Sequence, residues 1–154
     1  MLYHISKLHI DEQELIKKTP LLVAILVAGA DGTIENKELD KAMELIHIKA
    51  FSESSDIILL YKEIDQDVKS KLIELLNELP IDAVEREKRI SDQLRNLNPI
   101  LAKFDPHLAR EFYLSLTGFA LRVAQTTGGM FGLNMVNYHE KAAIKLSMIN
   151  EPKG

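Results

Sequence analysis

The sequence contains no cysteine, and this absence removes a large part of protein chemistry. Disulfide bonds, thiolate nucleophiles and cysteine-based zinc or iron–sulfur sites are all excluded. Basic residues are also in deficit, since 19 lysines and arginines stand against 23 aspartates and glutamates, for a formal net charge of -4. A nucleic-acid-binding face carries an excess of positive charge, so we expect no nucleic-acid partner. Oxygen and imidazole groups remain as the available metal ligands.

Long hydrophobic runs are missing as well. The longest, residues 21–30 with glycine counted, is about half of the ~20 residues that a membrane helix needs. The first ten residues do not combine a basic start with an apolar run, as a signal peptide would. We therefore predict a cytoplasmic protein with no membrane span.

What the sequence does contain is typical of one globular domain. The 154 residues are 46% hydrophobic and 27% charged, far from a disordered composition. Apolar residues recur at helical spacing, and no stretch alternates as a strand does. We predict a single all-α domain over residues 1–154, with about seven or eight helices and with residues 21–28 and 112–124 in its two central helices.

The stretch from residue 19 to residue 46 reads as two helices joined by a short acidic turn. Thr19 is predicted as an N-cap and Pro20 as the first helical residue, with a separate short helix over residues 11–18 before them. Residues 21–28 are apolar on every side and must be surrounded by protein. Asp31 and Gly32 break the chain, because glycine tolerates the positive φ of a helix exit.

The second helix of this pair restarts almost at once. Glu35 lies near its predicted N-cap and Glu38 follows three residues later, which is the spacing of a capping box.

Further helices are predicted over residues 56–64, 65–79 and 82–98, and from Asp105 and Pro106 onward. The charged run at residues 85–89 is interpreted as a solvated face. In the helix after Pro106, Leu114 and Leu121 are predicted to extend the apolar face. Asn137 is predicted to cap a last helix over residues 138–149.

A faint internal repeat links the two halves of the chain. In each half an apolar helix ends in glycine and a small amphipathic helix follows, so that Glu38 and Glu140 become equivalent. The second half has no aspartate where Asp31 stands in the first.

The apolar helix running into residues 30–35, followed by Glu38 on an amphipathic helix, resembles the bacterial tellurite-resistance TerB-like family. The resemblance implies an all-helical fold with a two-fold internal repeat of helix pairs and a role in stress response. It also implies that Asp31, Glu35, Glu38 and Glu140 converge to bind a divalent cation, which would be calcium, magnesium or manganese because these ions take oxygen ligands. No organic cofactor is implied.

One alternative competes with this metal site. Glu38 and Glu140 can each hydrogen-bond the backbone at the start of their own helix and bind no metal. The protein would then be a metal-independent helical module that recruits a protein partner.

Catalytic motifs are not apparent, and we expect no enzymatic activity. Glu44 and His47 form one Glu-x-x-His pair, but a di-iron bundle needs two such pairs. The glycine-rich segment at residues 126–134 lacks the Gly-Lys-Ser/Thr ending of a phosphate-binding loop.

Overall fold

The computed structural model describes residues 1–30, 32–52, 57–127 and 145–153, with no account of the Ser52, Thr126 and Thr127 side chains. Within these residues the chain forms eight helices and no strand, which confirms the all-α prediction. The helices are α1 (Leu2–Ser6), α2 (Ile10–Ala28), α3 (Asn36–Ser52), α4 (Ile58–Asp65), α5 (Val68–Glu78), α6 (Ala83–Arg95), α7 (Leu97–Leu101) and α8 (Pro106–Thr127). None of the helices in the described ranges is long and apolar enough to cross a membrane.

Helix α2 lies at the centre of the fold, as its composition predicts. Every side chain of residues 21–28 is buried, and α2 packs against α3, α6 and α8. Each fully buried aliphatic side chain stabilises the fold by about 1.5–3 kcal/mol relative to an exposed one. The apolar segment therefore requires neighbours on all sides, and the surrounding helices provide them.

The start of α2 corrects the prediction for Thr19 and Pro20. Helix α2 is continuous from Ile10 to Ala28, so that Thr19 is no N-cap and the predicted separate helix over residues 11–18 is part of it. Thr19 is fully buried, and its hydroxyl donates a hydrogen bond to the carbonyl oxygen of Leu15 at 2.7 Å. Proline removes one helical N–H, but packing on every side of the following segment outweighs that loss.

Helix α8 is the second central helix and packs against α2 and α3. Phe112, Leu116 and Phe119 are fully buried, as predicted. The prediction for Leu114 and Leu121 is wrong, because both side chains are exposed, Leu114 by 50%. Residues two positions apart on a helix differ in direction by about 200°, which turns Leu114 away from the face that Phe112 and Leu116 share.

A buried polar contact joins α4 to α8 within the apolar core. The Tyr61 hydroxyl lies 3.0 Å from the Ser115 hydroxyl, and both residues are buried. Lys49 of α3 reaches the same place and donates to Ser115 Oγ at 3.5 Å. Because buried hydroxyls are costly without partners, this contact favours one alignment of the three helices.

Three predicted helix boundaries differ from the structure. The helix predicted over residues 65–79 begins at Val68, since α4 continues to Asp65. The helix predicted over residues 82–98 is divided into α6 and α7 at Asn96. Residues 145–149, predicted as the end of the last helix, are not helical, and Leu146 has a φ of 45°. The rest of that predicted helix lies outside the described residues.

An ion pair connects the beginning of α2 to the segment between α7 and α8. Lys103 Nζ donates to Glu12 Oε2 at 2.7 Å, and this hydrogen bond is the main reason that the pKa of Glu12 lies below its ordinary value. Partial desolvation acts in the opposite direction, while the backbone N–H of His9, which donates to Glu12 Oε1 at 3.2 Å, lowers the pKa further.

We expect Glu12→Gln to lower the melting temperature at neutral pH and to have little effect in acid. Since the folded-state pKa is depressed, the ionised carboxylate stabilises the fold above its unfolded-state pKa, and the contribution is lost as pH falls through the folded-state pKa. Melting curves of both proteins between about pH 7 and pH 3 measure this difference. Glutamine keeps an acceptor for His9, so the comparison isolates the charge. In a Lys103→Met background most of the pH-dependent difference should disappear, and its full persistence there would contradict the assignment.

Candidate cation site at the turn between α2 and α3

The end of α2 closes through three backbone hydrogen bonds. The N–H of Gly29 donates to Ile25 O at 2.9 Å, that of Ala30 to Val27 O at 3.2 Å, and that of Gly32 to Gly29 O at 2.9 Å. Gly32 has a φ of +97°, a conformation that side chains with a Cβ rarely adopt. The predicted use of glycine at this exit is confirmed. Asp31 lies outside the described residues.

The start of α3 contains a hydrogen bond of the capping-box type. Glu35 precedes the first helical residue, and its backbone N–H donates to Glu38 Oε1 at 3.1 Å. The side chain of Glu38 is a poor candidate for a solvated acid, because the residue is only 7% exposed. The predicted capping role of Glu38 is therefore confirmed, and the carboxylate also lies near the positive end of the helix dipole.

Glu35, three residues before Glu38, lies in a more exposed environment than Glu38. Its side chain is exposed, and Oε2 lies 3.2 Å from the ammonium group of Lys37. An exposed pair of this kind contributes little to stability, typically about 0–1 kcal/mol. The carboxylate of Glu35 is accordingly accessible to a solvent cation at little cost.

A residue that the sequence analysis placed in solvent lies against this turn. Arg86 of α6 is only 9% exposed, and its Nη1 donates to Ile81 O at 3.2 Å. Its Nη2 is buried with no hydrogen-bond acceptor in the part of the chain that the structure describes, and it lies 2.9 Å from the point where a Cβ on Gly29 would be. The helical spacing of the sequence could have predicted this burial, because Arg86 falls on the same stripe as the buried Ile90 and Leu94.

The position of Arg86 gives the turn a positive charge of its own. Its guanidinium lies at the C-terminus of α2, where the helix dipole favours a cation. A buried charge interacts strongly with its surroundings because little water screens it. A positive charge at this position opposes the approach of a metal ion.

The structure describes two of the four predicted metal ligands. Glu35 and Glu38 lie at the start of α3, where the backbone N–H of Glu35 donates to the Glu38 carboxylate, whereas Asp31 and Glu140 lie outside the described residues. Across residues 1–30, 32–52, 57–127 and 145–153, no three carboxylate or imidazole groups are placed to hold one metal ion. The convergence of all four ligands, like the internal repeat, stays a prediction.

The Glu44 and His47 pair is divided between separate partners. His47 Nδ1 lies 2.7 Å from Asp65 Oδ2, and its ring contacts Phe51 with centroids 4.9 Å apart. Glu44 Oε2 instead lies 3.2 Å from Lys41 Nζ. His47 thus links α3 to α4, and Glu44 forms an ion pair within α3.

Comparison of the chain with protein-family models, with curated proteins and with solved structures gives no match.

Proposed function

We propose that the chain is a TerB-like bacterial stress-response protein, of the tellurite-resistance type, that binds a divalent cation at the turn between α2 and α3. The ligands in this proposal are Asp31, Glu35, Glu38 and Glu140, with calcium, magnesium or manganese as the ion and no organic cofactor. The observation that supports it is that one helix start holds both an exposed glutamate, Glu35, and a nearly buried one, Glu38. The proposal includes no catalytic step and places the protein in the cytoplasm.

The physical argument concerns the cost of collecting carboxylates. Like charges held together raise the free energy of the fold unless a cation compensates them. Carboxylate oxygens are also the ligands that calcium and magnesium prefer. A cation shared between the two helix pairs would bind the folded state alone and would therefore stabilise it.

Calorimetric titration of the metal-free protein tests the proposal. Calcium, magnesium or manganese should bind, and a concentration 100 times the Kd should raise the free energy of unfolding by about 2.7 kcal/mol. The variant Asp31→Asn with Glu38→Gln should lose the binding and the shift in melting temperature. Glutamine at position 38 keeps an acceptor oxygen for the cap, so the variant is expected to fold.

The matched control removes two charges from exposed positions of the same helix. Asp40→Asn with Glu44→Gln lowers the net negative charge equally, but neither residue belongs to the proposed site. Its titration should match that of the parent. Absence of binding at millimolar metal, or equal binding by the Asp31 and Glu38 variant, would rule the cation site out.

A second function is favoured by a specific observation at the same turn. Glu38 accepts a cap hydrogen bond there, and the buried guanidinium of Arg86 supplies a positive charge at the end of α2. The protein would then be a metal-independent helical module that binds a protein partner. Partners captured from the native cell in equal amounts with and without chelator favour this function, whereas partners lost in chelator favour the cation site.

A further inference from the structure

A cleft lies between the first half of α2 and helix α5, and residues at the end of α4 close one side of it. Its volume is about 350 Å³, within the range of small-molecule sites in proteins. Leu21 lines the cleft and lies eight residues before Gly29, which places it about 12 Å along the helix from the acidic turn. The cleft is therefore a separate feature from the proposed cation site.

The apolar part of the cleft is aliphatic. Leu21, Ile64 and Leu75 line it and are themselves almost completely buried. The remaining lining side chains are polar or charged, and those of lysine and glutamate contribute methylene groups. Among the described residues that line the cleft, none is aromatic. Such a surface fits an alkyl chain better than a flat ring, which would lack a stacking partner.

Among the charged side chains that line the cleft, carboxylates outnumber lysines. Lys17 pairs with Glu63 at 2.8 Å, and Lys71 pairs with Glu74 at 3.6 Å. Three further carboxylates line the cleft and make no ion pair with any residue that the structure describes, namely those of Glu14, Asp67 and Glu78. Among the described lining residues, Lys18 is the single remaining cation. The cleft thus has an excess of negative charge beside an aliphatic base.

The arrangement of these carboxylates selects against a single metal ion. They come from two helices and the turn between α4 and α5, and no three acidic or imidazole groups in the described ranges are placed to hold one ion. A ligand that carries several positive charges at separated points can meet dispersed carboxylates, which a point charge cannot.

We propose that the cleft binds an aliphatic polyamine, a flexible alkyl chain with two or more ammonium groups. Its methylene segments would lie along the alkyl stems of the lining lysines and glutamates, above the buried Leu21, Ile64 and Leu75, and its ammonium groups would pair with Glu14 and Glu78. Binding exchanges the solvation of exposed charges for charge-assisted hydrogen bonds at the edge of an apolar surface. The association is therefore sensitive to salt.

Titration of the full chain with spermidine, followed by calorimetry and by backbone amide shifts, tests this inference. We expect one saturable site with shifts centred on α2 and α5. Glu14→Gln with Glu78→Gln should weaken spermidine binding about tenfold or more, which corresponds to about 1.4 kcal/mol. The control Glu87→Gln with Asp92→Asn removes two charges from exposed positions of α6, away from this cleft, and should change the affinity by less than about twofold.

Three results would overturn the inference. The first is no saturable binding at about 10 mM spermidine, where even a site of millimolar Kd is largely filled. The second is an equal loss of affinity in the control variant, which would indicate a general response to net charge. The third is equally tight binding of magnesium or of butylamine, since the geometry requires both several charges and an alkyl chain. Melting curves of both double variants confirm that each is folded before its titration is interpreted.

Discussion

Replacing Leu116 by alanine is expected to lower the free energy of unfolding by about 2–5 kcal/mol. Leu116 is fully buried in α8, the helix that packs against both α2 and α3. The substitution removes three buried carbon atoms and leaves a cavity that the two neighbouring helices can close only in part. At about 2–4 °C per kcal/mol for a chain of this size, the melting temperature should fall by roughly 4–20 °C. Urea denaturation followed by circular dichroism measures the change.

Leu114→Ala provides a control of identical chemistry, two residues away on the same helix. Its side chain is half exposed, and we expect a change within about 0.5 kcal/mol. If the two variants lost similar free energy, the face of α8 assigned to the core would be wrong.

Replacing Gly29 by alanine is the second substitution for which we expect a large effect. An added methyl group would lie 2.9 Å from Arg86 Nη2, 3.0 Å from the carbonyl oxygen of Ile25 and 3.1 Å from Ile34 Cγ1. The carbonyl belongs to the backbone and the guanidinium is buried, so neither can move away without disturbing its neighbours. Overpacking of this kind costs about 1–3 kcal/mol, and the melting temperature should fall by roughly 2–12 °C.

Gly118→Ala is the matched control for Gly29→Ala. A Cβ at Gly118 meets nothing within 4 Å, and the residue lies inside α8, where alanine is favoured over glycine by about 0.5–1 kcal/mol. This variant should be more stable than the parent.

A further test of the mechanism is Arg86→Met, which removes the guanidinium. In that background Gly29→Ala should cost at least about 0.5 kcal/mol less, because contacting residues are not additive. Equal costs in both backgrounds would exclude Arg86 as the obstacle.

The features that the sequence predicts well are local ones. The start of α6 is an example, since a helix is predicted from residue 82 and α6 begins at Ala83 with Asp82 as its N-cap. The cap hydrogen bond between Glu35 and Glu38 is another, because both partners lie within one helical turn. The burial of residues 21–28 follows equally from the sequence, because a segment that is apolar all round has no face to give to water.

The features that the sequence does not predict depend on neighbours distant along the chain. Proline at position 20 favours a helix start, yet α2 continues through it because surrounding helices bury the segment. Arg86 stands in a charged run that resembles a solvated face, but the packing of α6 against α2 places its side chain under Gly29.

The candidate site likewise combines features that the sequence predicts with features that it does not. The amino-acid sequence determined the acidic residues of the turn, the glycine that the turn requires and the capping spacing of Glu38. Only the tertiary structure decided that Arg86 supplies a positive charge there and that a charged aliphatic cleft opens between α2 and α5. Caps and turns are settled by hydrogen bonds among residues a few positions apart, which the sequence displays directly. The environment of a charge depends on which helices meet around it, and that is decided only when the whole core packs.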